Sequence, residues 1–297
     1  MRILIAGSSG LIGSALCQHL TDEGHDVVRL VRREQGEHEI HWDPQAGVLA
    51  ADDLQGFEAV VHLGGRSIAA GRWTKKIKRE LIESRVRTTE LLAGRLAELA
   101  NPPKVLICAS AIGIYGDRGV EELHEESGVG TGFLAELGQA WEGASALAET
   151  AGIRVVQARF GIVLSRRGGA LAKMLPPFRL GVGGRIGDGR QYFSWIALDD
   201  VLAAISYVLA GDALRGPVNF TAPQPVTNAE FTKSLGSVLR RPTIFPLPAF
   251  AAKLVLGELA KEGLLASQRV VPKALLSAGF SFEFADLSGA LRQALKD

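Results

Sequence analysis

Short apolar runs alternate with amphipathic stretches through the first half of the chain. The apolar runs predict strands at residues 2–6, 26–31, 57–64, 104–110 and 154–164. The amphipathic stretches predict helices at 11–23, 75–99 and 132–151, and residues 39–44 are expected to form a loop with a short hairpin. Apolar strands joined by helices are typical of a parallel sheet covered on both faces. The pattern therefore predicts an α/β fold built on a Rossmann doubly wound parallel sheet.

The second half of the chain is less regular. Glycine and proline are frequent at 168–189, a helix is predicted at 199–211, and prolines interrupt the helical pattern after Pro223. We expect residues 1–222 to form the Rossmann domain, with substrate-side insertions at about 165–195 and a return to the sheet at 217–221. Residues 223–297 are expected to form a smaller, mostly helical C-terminal substrate lobe.

A glycine-rich loop links the first predicted strand directly to the first predicted helix, with the spacing G-x-x-G-x-x-G. In such loops the first glycine allows the tight turn, the second lets backbone approach a pyrophosphate, and the third lets helix pack on strand. The alternative is an ordinary strand–turn–helix with incidental glycines. The context favours a dinucleotide whose pyrophosphate lies on the helix N-terminus, with contacts from Gly7, Ser8, Ser9, Gly10, Leu11, Ile12 and Gly13.

The end of the second predicted strand indicates which dinucleotide is bound. NAD-binding units place an acidic residue there to accept hydrogen bonds from the adenosine ribose. Here the strand ends at Val31 and is followed by Arg32 and Arg33. Guanidinium groups bind phosphate oxygens through paired hydrogen bonds. The residues therefore favour NADP(H), with Arg32, alone or together with Arg33, on the ribose 2′-phosphate; the alternative is that both arginines are solvated at a strand end.

Several further motifs together resemble the extended short-chain dehydrogenases/reductases, which are NAD(P)-dependent epimerases, dehydratases and reductases, often of nucleotide sugars. They include the strand ends at 61–64 and 108–111 and the Tyr-Gly pair at 115–116. An epimerase-like branch of that superfamily is matched more closely, by motifs at 72–74, 84–89, 168–171, 177–181, 194–196 and 219–223. Residues 278–282 resemble the C-terminal domain that is particular to this branch. The resemblance implies further cofactor contacts from Val31, Leu63, Gly64, Glu80, Arg85 and Val163, and it is compatible with a homodimer.

The chain departs from that superfamily at its catalytic pair, Tyr-x-x-x-Lys on one helix face. None of the three tyrosines, Tyr115, Tyr192 and Tyr207, has a lysine four residues later. No lysine occurs between Lys104 and Lys173, and the matching helix carries Phe133 and Leu137 instead. The usual proton relay is therefore absent from the sequence.

Two polar residues near predicted strand ends are the remaining catalytic candidates. Ser110 ends the strand after which superfamily members place a substrate-contacting hydroxyl, and Tyr115 follows in a loop at the carboxyl edge of the sheet. The alternative for each is a structural hydrogen bond. For Glu80 and Arg85 the alternative is a solvated helix pair.

Other side chains could contribute to a substrate pocket. Arginines in the second half could bind an anionic substrate and two tryptophans could stack on a ring, although solvation and core packing are the plainer interpretations; these are Arg159, Arg179, Arg185, Arg190, Trp73 and Trp195. The Asp199-Asp200 pair is expected to stabilise a helix start. No set of residues has metal-ligand spacing.

Composition narrows the choice of partners and compartment. The 297 residues carry a formal net charge of +1, which gives no electrostatic argument for nucleic acid or an anionic membrane. No uncharged apolar run reaches the roughly 18 residues of a membrane span. The two cysteines, Cys17 and Cys108, stand in apolar contexts that suit a reducing compartment. With Met1 leading directly into the first strand, we expect a cytoplasmic protein.

These observations support an NADP(H)-binding oxidoreductase or epimerase-like enzyme with atypical catalytic residues. Its substrate would be a small molecule, anionic or similar to a sugar nucleotide. The alternative is a non-catalytic NADP(H)-sensing or scaffold protein that acts through a protein partner, because the usual relay is missing.

Overall fold

A seven-stranded parallel sheet forms the centre of the protein. The computed structural model describes residues 1–296. The sheet is built from β1 (Arg2–Ala6), β2 (Asp26–Val31), β3 (Glu39–His41), β4 (Ala59–His62), β5 (Val105–Ala111), β7 (Arg154–Phe160) and β11 (Gly216–Phe220), where β6 is the short strand Glu122–Leu123. The strand order is β11-β7-β5-β4-β1-β2-β3, and every neighbouring pair is parallel. The predicted doubly wound α/β fold is confirmed.

Short strands form three small sheets beside the main one: β8 (Ile162–Leu164) with β10 (Trp195–Ala197), β9 (Tyr192–Phe193) with β12 (Val226–Thr227), and β6 with β13 (Arg269–Val270). The helices are α1 (Leu11–Asp22), α2 (Lys75–Glu83), α3 (Val86–Ala97), α4 (Phe133–Gly143), α5 (Ala146–Thr150), α6 (Gly169–Arg179), α7 (Leu198–Ala210), α8 (Asn228–Leu239), α9 (Ala249–Leu256), α10 (Lys273–Ser277) and α11 (Leu287–Lys296). One π-helical turn spans Ala260–Leu264.

Alternation along the buried strands divides the core into two layers. In β1, Ile3 and Ile5 pack with α1 and α7, whereas Leu4 and Ala6 face the other way and pack with α3 and α5. Successive side chains of a strand point to opposite faces, so strands covered on both faces must be apolar throughout. This requirement explains why the sequence shows continuous apolar runs.

The C-terminal lobe shares a core with the insertion at about 165–195, beside the sheet. Helix α6 of the insertion and helices α8 and α11 of the lobe supply most of the buried side chains of this core. A capping box begins α8, in which Thr227 and Glu230 satisfy each other's backbone N–H groups. Strand β11 comes before this lobe in the chain and lies at the edge of the main sheet. The chain therefore returns to the sheet where the sequence predicts it.

Several predicted elements differ from the observed ones. The helices predicted at 75–99 and 132–151 are each split in two, α2 with α3 and α4 with α5. The strand predicted at 154–164 breaks at Gly161, where a side chain would come within 2.6 Å of the Ser194 carbonyl oxygen. The expected hairpin at 39–44 is instead the parallel edge strand β3, followed by one antiparallel bridge between Asp43 and Val48.

We expect Gly13→Ala to destabilise the fold by at least about 3 kcal/mol, because a Cβ atom there would lie 2.2 Å from the Gly7 carbonyl oxygen, which is backbone and cannot move aside. The matched control is Gly143→Ala in α4, where a Cβ meets nothing within 4 Å and helix propensity predicts a gain of about 0.5–1 kcal/mol. Urea denaturation of both variants measures the difference. Equal stabilities of the two variants would contradict the prediction, because they would show that α1 can move away from the Gly7 carbonyl oxygen without cost.

Candidate cofactor and substrate site

The loops after β1 and β4 meet at the carboxyl edge, where the strand order changes direction. Gly7 has a φ of +83°, and a Cβ atom there would lie 2.7 Å from the Gly64 nitrogen and from the Leu63 carbonyl carbon. Only glycine satisfies both the backbone angle and this close approach. Leu63 and Gly64 are therefore held directly beside the glycine loop, at the type of crevice where open α/β sheets bind ligands.

The N-terminus of α1 has unsatisfied hydrogen-bond donors. Gly10 is its cap residue and provides no side-chain acceptor. The backbone N–H groups of the next three residues have no acceptor within the described chain, and neither do the hydroxyls of Ser8 and Ser9; those three residues are Leu11, Ile12 and Gly13. Free N–H groups at the positive end of a helix dipole favour an anion. The first turn of α1 is thus suited to a phosphate group.

The two arginines after β2 differ in their contacts. Arg33 donates to Glu39 at 2.6 Å, and Arg29 contacts the same carboxylate at 2.9 Å. A hydrogen bond from the Gly36 N–H, assisted by these arginines, holds the pKa of the Glu39 carboxyl below its usual value. Arg32 is exposed and has no partner among the described residues. Arg32 is therefore the cation beside Val31 that remains available for a phosphate.

His62 supports the loop after β4 from inside the core. Its ring is fully buried, with Nε2 3.2 Å from the Thr88 hydroxyl and Nδ1 without a partner in the described chain. The ring lies directly beneath Gly64, where a Cβ atom would come within 2.8 Å of His62 Cε1. Burial lowers the pKa of His62 to about 4, so the imidazole is neutral in the folded protein at neutral pH.

His62 should make the protein acid-sensitive. Its pKa is about 4 when folded and 6.5 when unfolded, so the unfolded chain binds the proton more tightly and stability falls as the pH drops between these values. The loss amounts to up to about 3 kcal/mol. His62→Gln should remove this part of the pH dependence, whereas His41→Gln, at an exposed position, should keep it. Denaturation curves at pH 7, 5.5 and 4.5 test this, and an unchanged slope in His62→Gln would contradict the assignment.

Arg85 occupies the break between α2 and α3 and turns into the protein. Its guanidinium donates to the carbonyl oxygens of Leu81 at 3.2 Å and Arg66 at 2.9 Å, and lies 4.9 Å from the Trp141 ring centroid. No carboxylate of the described chain pairs with it, and burial lowers its pKa to about 10. Glu80 instead forms an ion pair with Arg66. The two residues are therefore not a solvated pair, and Arg85 carries an uncompensated buried charge.

A cavity of about 220 Å³ opens beside Arg85 at the carboxyl ends of β5 and β7. Helix α4 forms one wall, and strand β9 together with the C-terminal lobe forms the other. The α4 wall is apolar, with Leu134 and Leu137 where the superfamily resemblance implies a catalytic helix. The opposite wall includes Tyr192, Glu262 and Gln268. Val163 lies just past this cavity on β8, paired with Ile196.

Ser110 and Tyr115 belong to a buried network behind this cavity. Ser110 Oγ donates to Glu142 at 2.6 Å, and Arg159 donates to both oxygens of the same carboxylate at 2.7 and 2.8 Å. Tyr115 donates to Asn219 and accepts from Arg159, each at 2.8 Å.

Burial raises the pKa of Tyr115. Burial also disfavours the charged form of Arg159. The hydrogen bonds to Glu142 and the negative charge of that carboxylate outweigh this effect and raise the pKa of the guanidinium. Neither Ser110 nor Tyr115 lines the cavity. Because both hydroxyls are fully engaged, the geometry favours the structural alternative for each.

Glu142→Gln should destabilise the protein by about 3–5 kcal/mol, because it leaves the Arg159 guanidinium buried without a counter-charge. The two side chains are only 14% and 6% exposed. Glu121→Gln is the matched control: its partner Arg118 and Glu121 itself are 28% and 49% exposed, so the cost should stay below about 1 kcal/mol. Guanidinium denaturation compares the variants, and equal effects would refute a special role for the buried pair.

Sequence reasoning did not identify Glu262. This side chain lies in the π-helical turn of the C-terminal lobe and caps α4, accepting from the backbone N–H groups of Phe133 at 3.1 Å and Leu134 at 2.8 Å. A carboxylate at a helix N-terminus interacts favourably with the helix dipole. No local motif could have predicted this contact, because the partners are about 130 residues apart in the chain.

The remaining candidates have mostly structural surroundings. Trp195 is fully buried and donates to the Gln224 carbonyl oxygen, and Trp73 packs 5.1 Å from the Phe133 ring. Asp200 accepts from the backbone of residues 283 and 284 and so attaches the C-terminal segment. Among the candidate arginines, Arg179, Arg185 and Arg190 are exposed. Within residues 1–296, no three His, Cys, Asp or Glu side chains form a metal-binding group, and no helix is long and apolar enough to cross a membrane.

Comparison with known proteins assigns the family. Residues 3–220 match the NAD dependent epimerase/dehydratase family. The chain belongs to this family. Residues 247–294 match a second conserved unit, the domain of unknown function DUF1731. Both matches confirm the resemblance deduced from the motifs, including the separate C-terminal domain.

Relatives cover the chain from end to end. An epimerase family protein of Mycobacterium leprae is 45% identical over 293 residues, covering 98% of this chain and 95% of the relative. The human epimerase family protein SDR39U1 is 38% identical over 296 residues, covering 99% of both. A crystal structure of human SDR39U1 with NADPH superposes over 100% of both chains, with a TM-score of 0.92 and 34% identity. The UDP-glucuronic acid 4-epimerase of Bacillus cereus shares the fold, with a TM-score of 0.78 and 16% identity.

Proposed function

We propose that the protein is an NADP(H)-dependent oxidoreductase or epimerase-like enzyme acting on a small molecule. Two features together support the cofactor assignment: the N-terminus of α1 has no side-chain cap, and the exposed Arg32 has no partner among the described residues. These groups suit a pyrophosphate and a 2′-phosphate respectively. The crystal structure of the human relative with NADPH supports the same cofactor.

The residues present fit this cofactor along the carboxyl edge. The glycine loop of Gly7–Gly13 would receive the pyrophosphate, and Val31 with Arg32 would hold the adenosine end. The contacts proposed nearer the cavity are Leu63, Gly64, Glu80, Arg85 and Val163. When bound, NADPH supplies a hydride. The buried, uncompensated charge of Arg85 favours negative charge in the ligands that meet there.

Arg32→Ala should weaken NADPH binding by about 10- to 100-fold, because it removes a charge-assisted contact to the 2′-phosphate. NADH has no such phosphate, so its affinity should stay nearly unchanged. Arg33→Ala is the matched control, because Glu39 already engages that guanidinium. Calorimetric titration of the three proteins with both cofactors decides the question. Equal losses for NADPH and NADH, or a larger loss in Arg33→Ala, would overturn the assignment to Arg32.

The cavity supports a substrate that is small or that places only one end there. Its volume of about 220 Å³ is modest and below the typical range for drug-sized ligands. An apolar wall and one unpaired guanidinium suit a compound with a carbonyl group and a negative charge, or the sugar end of a nucleotide sugar. NADPH oxidation should therefore be measured with 2-oxo carboxylates and their neutral analogues, and UDP-sugars should be tested for NADP⁺ reduction and for epimerisation. Turnover of a member of either anionic class supports catalysis.

A second candidate function is NADP(H) sensing or scaffolding without turnover. The observation that favours it is α4, where Phe133 and Leu137 occupy a buried face and offer no proton. In that case every compound of the panel is inert, and a protein partner binds differently with and without NADPH. Pull-downs that are identical in both conditions would exclude this function.

A further inference from the structure

The three tyrosines of the chain have different surroundings. Tyr115 is fully buried and its hydroxyl both donates and accepts a hydrogen bond. Tyr207 lies on α7 and donates to the Ala278 carbonyl oxygen. Tyr192 is half-buried and lines the cavity, and its hydroxyl has no partner in the described chain. A partly buried tyrosine hydroxyl usually finds a partner, so this one is available to a ligand.

The position of Tyr192 is set by its backbone and its ring. Its N–H donates to the Ser267 hydroxyl at 3.0 Å, and its carbonyl oxygen accepts from the Gln268 N–H at 3.4 Å. Strand β9 pairs Tyr192 with Thr227, and the Arg269 guanidinium lies 5.6 Å from the ring centroid. Contacts of this kind hold a catalytic group in place before the substrate binds.

The other polar side chains of the cavity are poorly suited to give a proton. Ser194 donates to carbonyl oxygens of the C-terminal lobe, and Trp141 donates to Thr89. Both oxygens of Glu262 accept from the α4 backbone. The Gln268 amide is not an acid in water, and a guanidinium holds its proton at neutral pH. Tyr192 is the lining side chain that combines an acidic O–H with the absence of a competing acceptor.

We propose that Tyr192 is a catalytic residue that donates a proton to the oxygen of a carbonyl substrate bound in this cavity. The proposal rests on the proposed oxidoreductase function. In the reducing direction the carbonyl carbon gains the hydride that NADPH supplies, and the carbonyl oxygen gains the proton as the Tyr192 O–H bond breaks. The products are an alcohol, NADP⁺ and a phenolate, which water reprotonates. Arg85 supplies positive charge in the same cavity while the oxygen carries negative charge.

In this proposal Tyr192 takes the place of the missing helix tyrosine, from the opposite wall of the cavity. The superfamily tyrosine would stand on α4, where this chain has Phe133, whereas Tyr192 stands on β9. A proton donor needs only to reach the substrate oxygen and carry a proton at working pH; it does not need a particular helix. The structure thus offers the proton and the positive charge from two segments distant in sequence.

Tyr192→Phe removes only the hydroxyl, and Tyr207→Phe is the matched control. The probe is phenylglyoxylate, a 2-oxo carboxylate whose ring suits the apolar wall and whose carboxylate suits Arg85. In Tyr192→Phe we expect kcat to fall by at least about 100-fold, with NADPH affinity unchanged. Tyr207→Phe should match the wild type in both measurements.

A spectroscopic measurement tests the contact without turnover. Infrared spectra of phenylglyoxylate, ¹³C-labelled at the ketone and bound with NADP⁺, report hydrogen bonding to its oxygen. The ketone stretch should shift to lower frequency in the wild type and in Tyr207→Phe, and the shift should be lost in Tyr192→Phe.

The outcomes separate the two proposals. Loss of both kcat and the infrared shift in Tyr192→Phe supports the assignment. Turnover by Tyr192→Phe within about threefold of wild type, far less than removal of a general acid costs, overturns it and leaves the oxidoreductase function intact. If the wild type turns over neither phenylglyoxylate nor any other panel compound, the proposed function fails, and the role of Tyr192 fails with it.

Discussion

The buried ion pair between Arg159 and Glu142 is the interaction on which the carboxyl edge of the sheet depends. It joins the end of β7 to α4, and through Ser110 and Tyr115 it reaches β5 and the loop behind the cavity. Tyr115 extends the network to Asn219 on β11. Each member would be costly to bury alone, and together they satisfy one another's charges and hydrogen bonds. The α4 wall of the cavity can be apolar because the polar groups behind it are already paired.

The parts of the fold that local patterns control could be predicted from the sequence. Strands β1 and β2 have the predicted bounds, because both consist mainly of apolar residues and a glycine marks one end of each: Gly7 directly follows β1, and Gly24 lies two residues before β2. These local signals need no reference to distant residues. The glycine loop is also local, and its close approach to Leu63 and Gly64 follows from strand order. The family followed from motifs spread over the whole chain. The exception is α6, which was not predicted because glycine and proline are frequent at 168–189; Pro176 and Pro177 lie inside the helix.

The parts that distant contacts control could not be predicted. Arg85 resembled a helix-surface residue, and only the break between α2 and α3 turns it against Trp141. Ser110 and Tyr115 were reasonable candidates by position, yet their hydroxyls are engaged by residues far along the chain. Tyr192 was considered only as part of a Tyr-x-x-x-Lys pattern, and a motif search cannot recognise a residue whose significance comes from facing a cavity. Sequence reasoning thus located the edge of the sheet but not the orientation of side chains there.

Glu262 makes the C-terminal lobe part of the nucleotide-binding unit's own architecture. One carboxylate both caps the N-terminus of α4 and lines a wall of the cavity. An exchange of this lobe alone would therefore remove the N-terminal cap of α4 and change a cavity wall in one step. A lobe taken from another protein would have to supply an acceptor where Glu262 stands, so the lobe and α4 cannot be replaced independently of each other.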